Sequence, residues 1–268
     1  MKVIRFNLAE LRRHLSTIPD IQANTGDLAL KAYAALCLTR LQHTLNGLEP
    51  LLVSLEQNAA IDYSAGLLIR PMLGDVLSLE YLASYIDVHR NDTDLDAFVD
   101  KFCKGYLYDG TYKWIEQFKM DEEKGVLDVE KKALLIGGLR KQFPELFVEK
   151  TPEKWEYNNP YKALQAKELY KSIDVQKMDK DKAIVMSKIY YLYNYYSKFE
   201  HLSTWTHTLL TTQYIGRIQQ IEETSFHMLR HLQTILTFLK LYEPSFDSIQ
   251  QAVGKSIEVG FNMVPDRH

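Results

Sequence analysis

The sequence predicts an all-α protein, a helical bundle of about six to eight helices with a peripheral insertion of helices and loops. Three observations carry this. Glycine (12) and proline (8) are scarce in 268 residues, so turns are few and the elements between them are long, which favours helices. Apolar residues recur at three- and four-residue spacing over most of the chain. Period-two alternation is essentially absent, apart from two weak stretches near the termini, VIRF and VGFNMV.

Taken in order, Asn7 followed by Glu10 reads as a capping box that opens a short helix over about 8–16. After a polar connection through Pro19 and Asn24, Thr25 or Asp27 starts a helix with apolar positions at Leu28, Tyr33, Leu36, Leu41, Leu45 and Leu48. Gly47 and Pro50 are expected to bend or break it. Residues 59–90 are apolar on nearly every side, the mark of a central buried helix. Pro71 is expected to kink that helix or restart it. NDTD at 91–94 is a loop and cap, and 95–145 read as two or three more helices.

From about 146 to 182 the chain turns polar and predicts short helices and loops, with Pro152 and Pro160 each following a capping residue. A helix then runs to His201. Ser203 or Thr204 caps a final long helix over about 205–241, with a stripe at Tyr214, Ile218, Ile221, Leu229, Leu232, Leu236 and Leu239. The tail, 245–268, is short and includes one more candidate helical turn. The expected organisation is one all-helical domain over 1–268, with core helices at about 27–90 and 183–241 and a peripheral insertion at about 91–182.

Composition narrows the function classes. Hydrophobic residues make up 46% and charged residues 25% of the chain, as in an ordinary globular protein. The net charge is −3 and the sequence pI about 6.3. DNA is not an expected partner, because phosphate neutralisation needs a basic excess. Cys37 and Cys103 sit in apolar helical contexts and read as buried reduced thiols. Charges interrupt every apolar run near the N-terminus, so no secretory leader is expected, and no run is long enough to span a membrane. Those features predict a cytoplasmic protein with no membrane partner and no cofactor. The chain contains no GxGxxG, P-loop, CxxC, HExxH or Gly-x-Ser-x-Gly motif, which removes the familiar enzyme signatures. Enzymes of other kinds stay open, and the reading leans towards a non-enzymatic protein.

Three groups of residues could carry chemistry. Arg70 lies in the most apolar helix, where an unpaired guanidinium would cost several kcal/mol, so it needs partners. Asp75 and Glu80 are the local candidates, giving either a buried ion pair that fixes helix register or a polar pocket in the bundle core. Ser197 and His201 share one helix face with Tyr193 and Tyr196. Ser and His without a third orienting group do not make a catalytic triad. Glu223, His227 and His231 stand at four-residue intervals on the last long helix, a weak candidate metal site. On the helical wheel they fall opposite the Ile218/Leu229/Leu236 stripe, so a solvated polar face is expected there.

Two of these features occur together in a known group. The apolar helix with an Arg and a following acid (LLIRPMLGDVLSLEYL) and the later Tyr-x-x-Tyr-Ser-x-x-x-His segment, Tyr193 to His201, resemble a widespread group of bacterial all-helical proteins of unknown function. That group looks distantly like the HEPN superfamily of helical bundles, which includes ribonucleases of toxin–antitoxin and phage-defence systems and non-catalytic nucleotide binders. The resemblance covers about 27–90 and 183–240. It implies an alternative function as a metal-independent ribonuclease or nucleotide-binding protein, with RNA or a nucleotide as partner, Arg70 as the cation and His201 as the acid/base. The pattern is imperfect, since Gly74 stands where the group has its acid and Asp75 comes one place late. No arginine precedes a histidine at the four-to-six-residue spacing of the nuclease motif. The leading expectation is a non-enzymatic binding or interaction protein whose internal cluster is Arg70, Asp75, Glu80, Tyr193, Tyr196, Ser197 and His201. The aromatic-rich helix or the last long helix could pair two copies into a homodimer.

Overall fold

A computed structural model describes residues 2–19, 21, 28–55, 61–151, 154–173, 178–198 and 214–263. Along the chain the elements are α1 (Lys2–Leu15), α2 (Ala29–Leu55), α3 (Ile61–Val88), α4 (Leu95–Leu107), α5 (Thr111–Glu123), α6 (Val129–Gln142), a 3-10 turn (Pro144–Leu146), β1 (Phe147–Thr151), β2 (Lys154–Tyr157), α7 (Ala166–Lys171), α8 (Lys180–Ser197), α9 (Tyr214–Leu239) and α10 (Phe246–Asn262). Helix accounts for 78% of the structure, and the sheet among the described residues is one antiparallel hairpin. The protein is all-α. Two compact units emerge, one of Met1–Ala23, Ala34–Leu95 and Leu164–His268, the other of Asn24–Tyr33 and Asp96–Ala163.

The larger unit is organised around α3. Ile69, Met72, Leu73, Val76, Leu77, Leu79 and Leu82 of this helix are all buried, as a helix apolar on nearly every side requires. It packs on α8 and α9. Facing α3, α8 buries Met186, Ile189, Leu192 and Tyr196 at helical spacing. Most of the length of α9 is buried, through Ile221, Met228, Leu229, Leu232, Ile235, Leu236 and Leu239, because α1, α3 and α10 all pack on it.

Several sequence expectations change here. VIRF lies within α1 and VGFN within α10, so neither terminal stretch is a strand. The capping box at Asn7 is absent because α1 starts at Lys2, which leaves Asn7 mid-helix. Fully buried, it donates from Nδ2 to Ser225 Oγ at 3.0 Å and ties α1 to α9. Neither Gly47 nor Pro50 ends α2, which runs on to Leu55. Burial of Leu48 and Leu52 on either side of the proline outweighs the single backbone bond it removes. Likewise α3 continues through Pro71 without restarting. The tail carries a full helix, α10, in place of one turn. The start of the last long helix, with Ser203 and Thr204, lies outside the described residues.

The smaller unit has its own core. Ile115, Leu146 and Phe147 are buried together, with Tyr108, Ile136, Leu139, Phe143, Tyr157 and Tyr161 packed around them. Asp128 caps α6 by accepting from the Lys131 amide at 2.7 Å, as a short carboxylate does at a helix start. The hairpin pairs Phe147 with Tyr157, Val148 with Glu156 and Glu149 with Trp155. Where α4 passes the chain at Lys162, Gly105 has no room for a side chain. A Cβ there would lie 2.7 Å from the Lys162 carbonyl oxygen.

Candidate functional site

The expected cluster around Arg70 divides into separate pairs, and helix geometry explains why. Arg70, Asp75 and Glu80 are spaced by five residues. At 100° per residue, each step turns the side chain by about 140° from the last, so the three leave α3 towards different neighbours.

Arg70 reaches α8, where its Nη2 donates to the Tyr193 hydroxyl at 3.1 Å. Its guanidinium carbon lies 5.0 Å from the centre of the same ring, a cation–π contact added to the hydrogen bond. Asp75 points towards α2, and its Oδ2 accepts from Arg40 Nε at 3.0 Å. Burial pushes the Asp75 carboxyl up to about 7, and the Arg40 charge offsets only part of that. Glu80 faces α9, where its Oε1 accepts from the Thr234 hydroxyl at 2.6 Å. Arg70, Asp75 and Glu80 thus each bond to a neighbouring helix, α8, α2 and α9 in turn.

The other members of the cluster also part company. Ser197 donates back to the Asn194 carbonyl at 2.7 Å, a bond within its own helix. Tyr196 is buried in the core. His201 lies outside the described residues.

The histidines of α9 correct the wheel reading outright. His227 is 3% exposed and His231 is fully buried, because helices pack on the side that was assigned to solvent. Arg40 of α2 lies close enough to act on His231, and Glu80 of α3 bonds Thr234 three residues further along. Burial, reinforced by the charge of Arg40, pushes His231 down to about 3, so its imidazole is neutral. Glu223 is half-buried and pairs with Lys188 of α8 at 3.5 Å. The described residues contain no group of three His, Cys, Asp or Glu side chains placed to hold a metal ion. None of their helices is long and apolar enough to cross a membrane.

One serine–histidine–carboxylate grouping lies elsewhere, between α1 and α10. Ser256 Oγ meets His14 Nε2 at 2.9 Å and donates to Glu10 Oε2 at 2.6 Å. Glu10 Oε2 is also the acceptor for Arg13 Nη2 at 2.6 Å. In a hydrolytic triad the carboxylate holds the ring nitrogen opposite the serine. Here it contacts the serine itself and lies 3.7 Å from the same nitrogen. Both His14 and Ser256 are buried, so the arrangement is a clasp between the first and last helices. The Arg13 hydrogen bond holds the Glu10 carboxyl below its ordinary range, while burial lowers the His14 imidazole.

A groove of about 920 Å³ lies between α8, α9 and α10 of the larger unit. Ile184, Val185, Phe226, Ile257 and Phe261 form its apolar lining, with His227 beside Phe226. Ile184 is 47% exposed and Phe261 39%. Asp181, Glu223 and Glu258 supply the acidic rim, and Lys188 and Arg230 the basic one. No sequence signal pointed to it, since its lining comes from three helices of which one went unrecognised.

No family model matches the chain, and no curated protein or solved structure matches it either.

Proposed function

We propose that this chain is a non-enzymatic binding protein whose working surface is the groove between α8, α9 and α10. Its occupant is an amphipathic helix of a partner protein with a basic polar face. The observation that carries the reading is the groove itself, with large apolar side chains left half-exposed inside a charged rim. Apolar patches of that kind mark interaction sites. The groove follows α9 from Glu223 to Arg230 and α8 from Asp181 to Lys188, about two helical turns on each side. That length receives a helix presenting apolar anchors at i, i+4 and i+7. Three acids against two bases on the rim favour a cationic polar face. Arg70, Asp75 and Glu80 fit the same reading, since each ties α3 to a neighbouring helix.

The test uses two synthetic helical peptides with the same leucine spacing, one with lysine and the other with glutamate on the polar face. Their fluorescence anisotropy is titrated with the full chain. The lysine peptide is expected to bind at least about tenfold more tightly. Ile184→Gln and Phe261→Gln should each weaken it by about tenfold, the cost of one lost apolar anchor, with unchanged melting curves. If neither peptide binds, or both bind wild type and variants alike, the reading fails.

A further inference from the structure

Helix α6 of the smaller unit has no buried residue. Its inner side is nevertheless defined, because Ile136 and Leu139 pack on the Ile115, Leu146 and Phe147 cluster. At 100° per residue, the opposite side carries Glu130, Leu134, Gly137, Gly138 and Lys141 within an arc of about 100°. Leu134 is 75% exposed at its centre. A Cβ at either Gly137 or Gly138 would meet nothing within 4 Å. Glycine weakens a helix interior relative to alanine, yet no contact within this chain requires two of them here.

We infer that α6 forms a symmetric, antiparallel contact between two copies of this chain, with Leu134 of each copy seated over the bare backbone of the partner's Gly137 and Gly138. The register follows from the sequence. With the two-fold axis between Leu135 and Ile136, position 134 faces 137 and position 130 faces 141. Each Glu130 then lies beside the partner's Lys141, opposite charges at both ends of the contact. Neighbouring bases are engaged elsewhere. Lys131 pairs with Asp128 and Lys132 with Glu122, while Arg140 lies 4.6 Å from the Trp155 ring centre on the hairpin side. Among the described residues Glu130 and Lys141 carry no ion pair. A parallel pairing would set Glu130 against Glu130, so charge selects the antiparallel form. A self-complementary patch of this kind is what a two-fold dimer requires. One helix pair falls below the roughly 1,200 Å² of a stable interface, so the association is weak and depends on concentration.

Sedimentation of the full chain from micromolar to millimolar concentration tests this. Wild type should pass from monomer to dimer. The Gly137→Ala/Gly138→Ala double variant should melt higher, because alanine favours the helix, and yet dimerise about tenfold more weakly. That opposition separates a lost contact from a lost fold. Glu130→Lys and Lys141→Glu should each weaken the dimer, and the two together should restore it to near wild type. A chain that is monomeric at every concentration overturns the inference. So does a dimer indifferent to the glycine pair, or a double charge swap no better than the single ones.

Discussion

Replacing Asp75 by asparagine should change how stability depends on pH, and the sign follows from two buried groups that work against each other. The Asp75 carboxyl moves from 3.8 in a free chain to about 7 when folded. Between those values the folded protein holds one proton more than the unfolded chain, so stability falls as pH rises, by about 1.4 kcal/mol per pH unit. His231 moves from 6.5 down to about 3 on folding. In its window the unfolded chain holds the extra proton, and stability rises with pH at the same slope. From about pH 4 to 6.5 the two slopes cancel in wild type. Asp75→Asn removes the falling slope only, leaving a variant that gains about 3 kcal/mol relative to wild type across that interval. His231→Leu should do the reverse. Urea unfolding at half-unit steps of pH gives both curves, and taking the difference from wild type cancels more distant groups such as Glu10 and His14. Arg40, whose side chain is 44% exposed, can be hydrated once the carboxylate is gone. Stability curves for Asp75→Asn and wild type that run parallel from pH 4 to 6.5 would refute the reasoning.

Two further substitutions probe the frame. Gly105→Ala should destabilise by about 1–3 kcal/mol in thermal or urea unfolding, against the usual gain from alanine in a helix, because a Cβ there meets the Lys162 backbone; a neutral or stabilising result would mean that α4 and that strand of chain are not in contact. Tyr193→Phe should cost about 1 kcal/mol for the lost Arg70 hydrogen bond and Tyr193→Ala distinctly more, since phenylalanine keeps the ring against the guanidinium; equal losses would show that the hydroxyl, and not the ring, holds Arg70.

The fold was legible where one helix alone carried the signal. A helix buried on every side, such as α3, shows it in its own composition, and α8 shows its buried face by spacing. The hairpin did not show, because strands of five and four residues with charges at Glu149, Lys150 and Glu156 carry no period-two record of a buried face. Asn7 and Glu10 had the spacing of a cap yet serve as internal ties to Ser225 and Ser256, a role decided by helices more than 200 residues away. Arg40 and Thr234 were hidden in the same way, since each sits on another helix, 35 residues from Asp75 and 154 from Glu80. Arg70 stood out by its place in the apolar helix, but its Tyr193 neighbour is set by how α3 and α8 pack. For His227 and His231 the wheel placed the side correctly and the environment wrongly, since a wheel holds no information about which other helix lies there.

The Glu10–Ser256 clasp joins positions 246 residues apart. A ribosome adding about 5–20 residues per second needs roughly 12 to 50 s to cover that stretch. Until Ser256 is made, Ile4, Leu8 and Leu11 of α1 lack the α10 side of their packing. The larger unit therefore cannot complete the packing of its first helix until α10 has emerged.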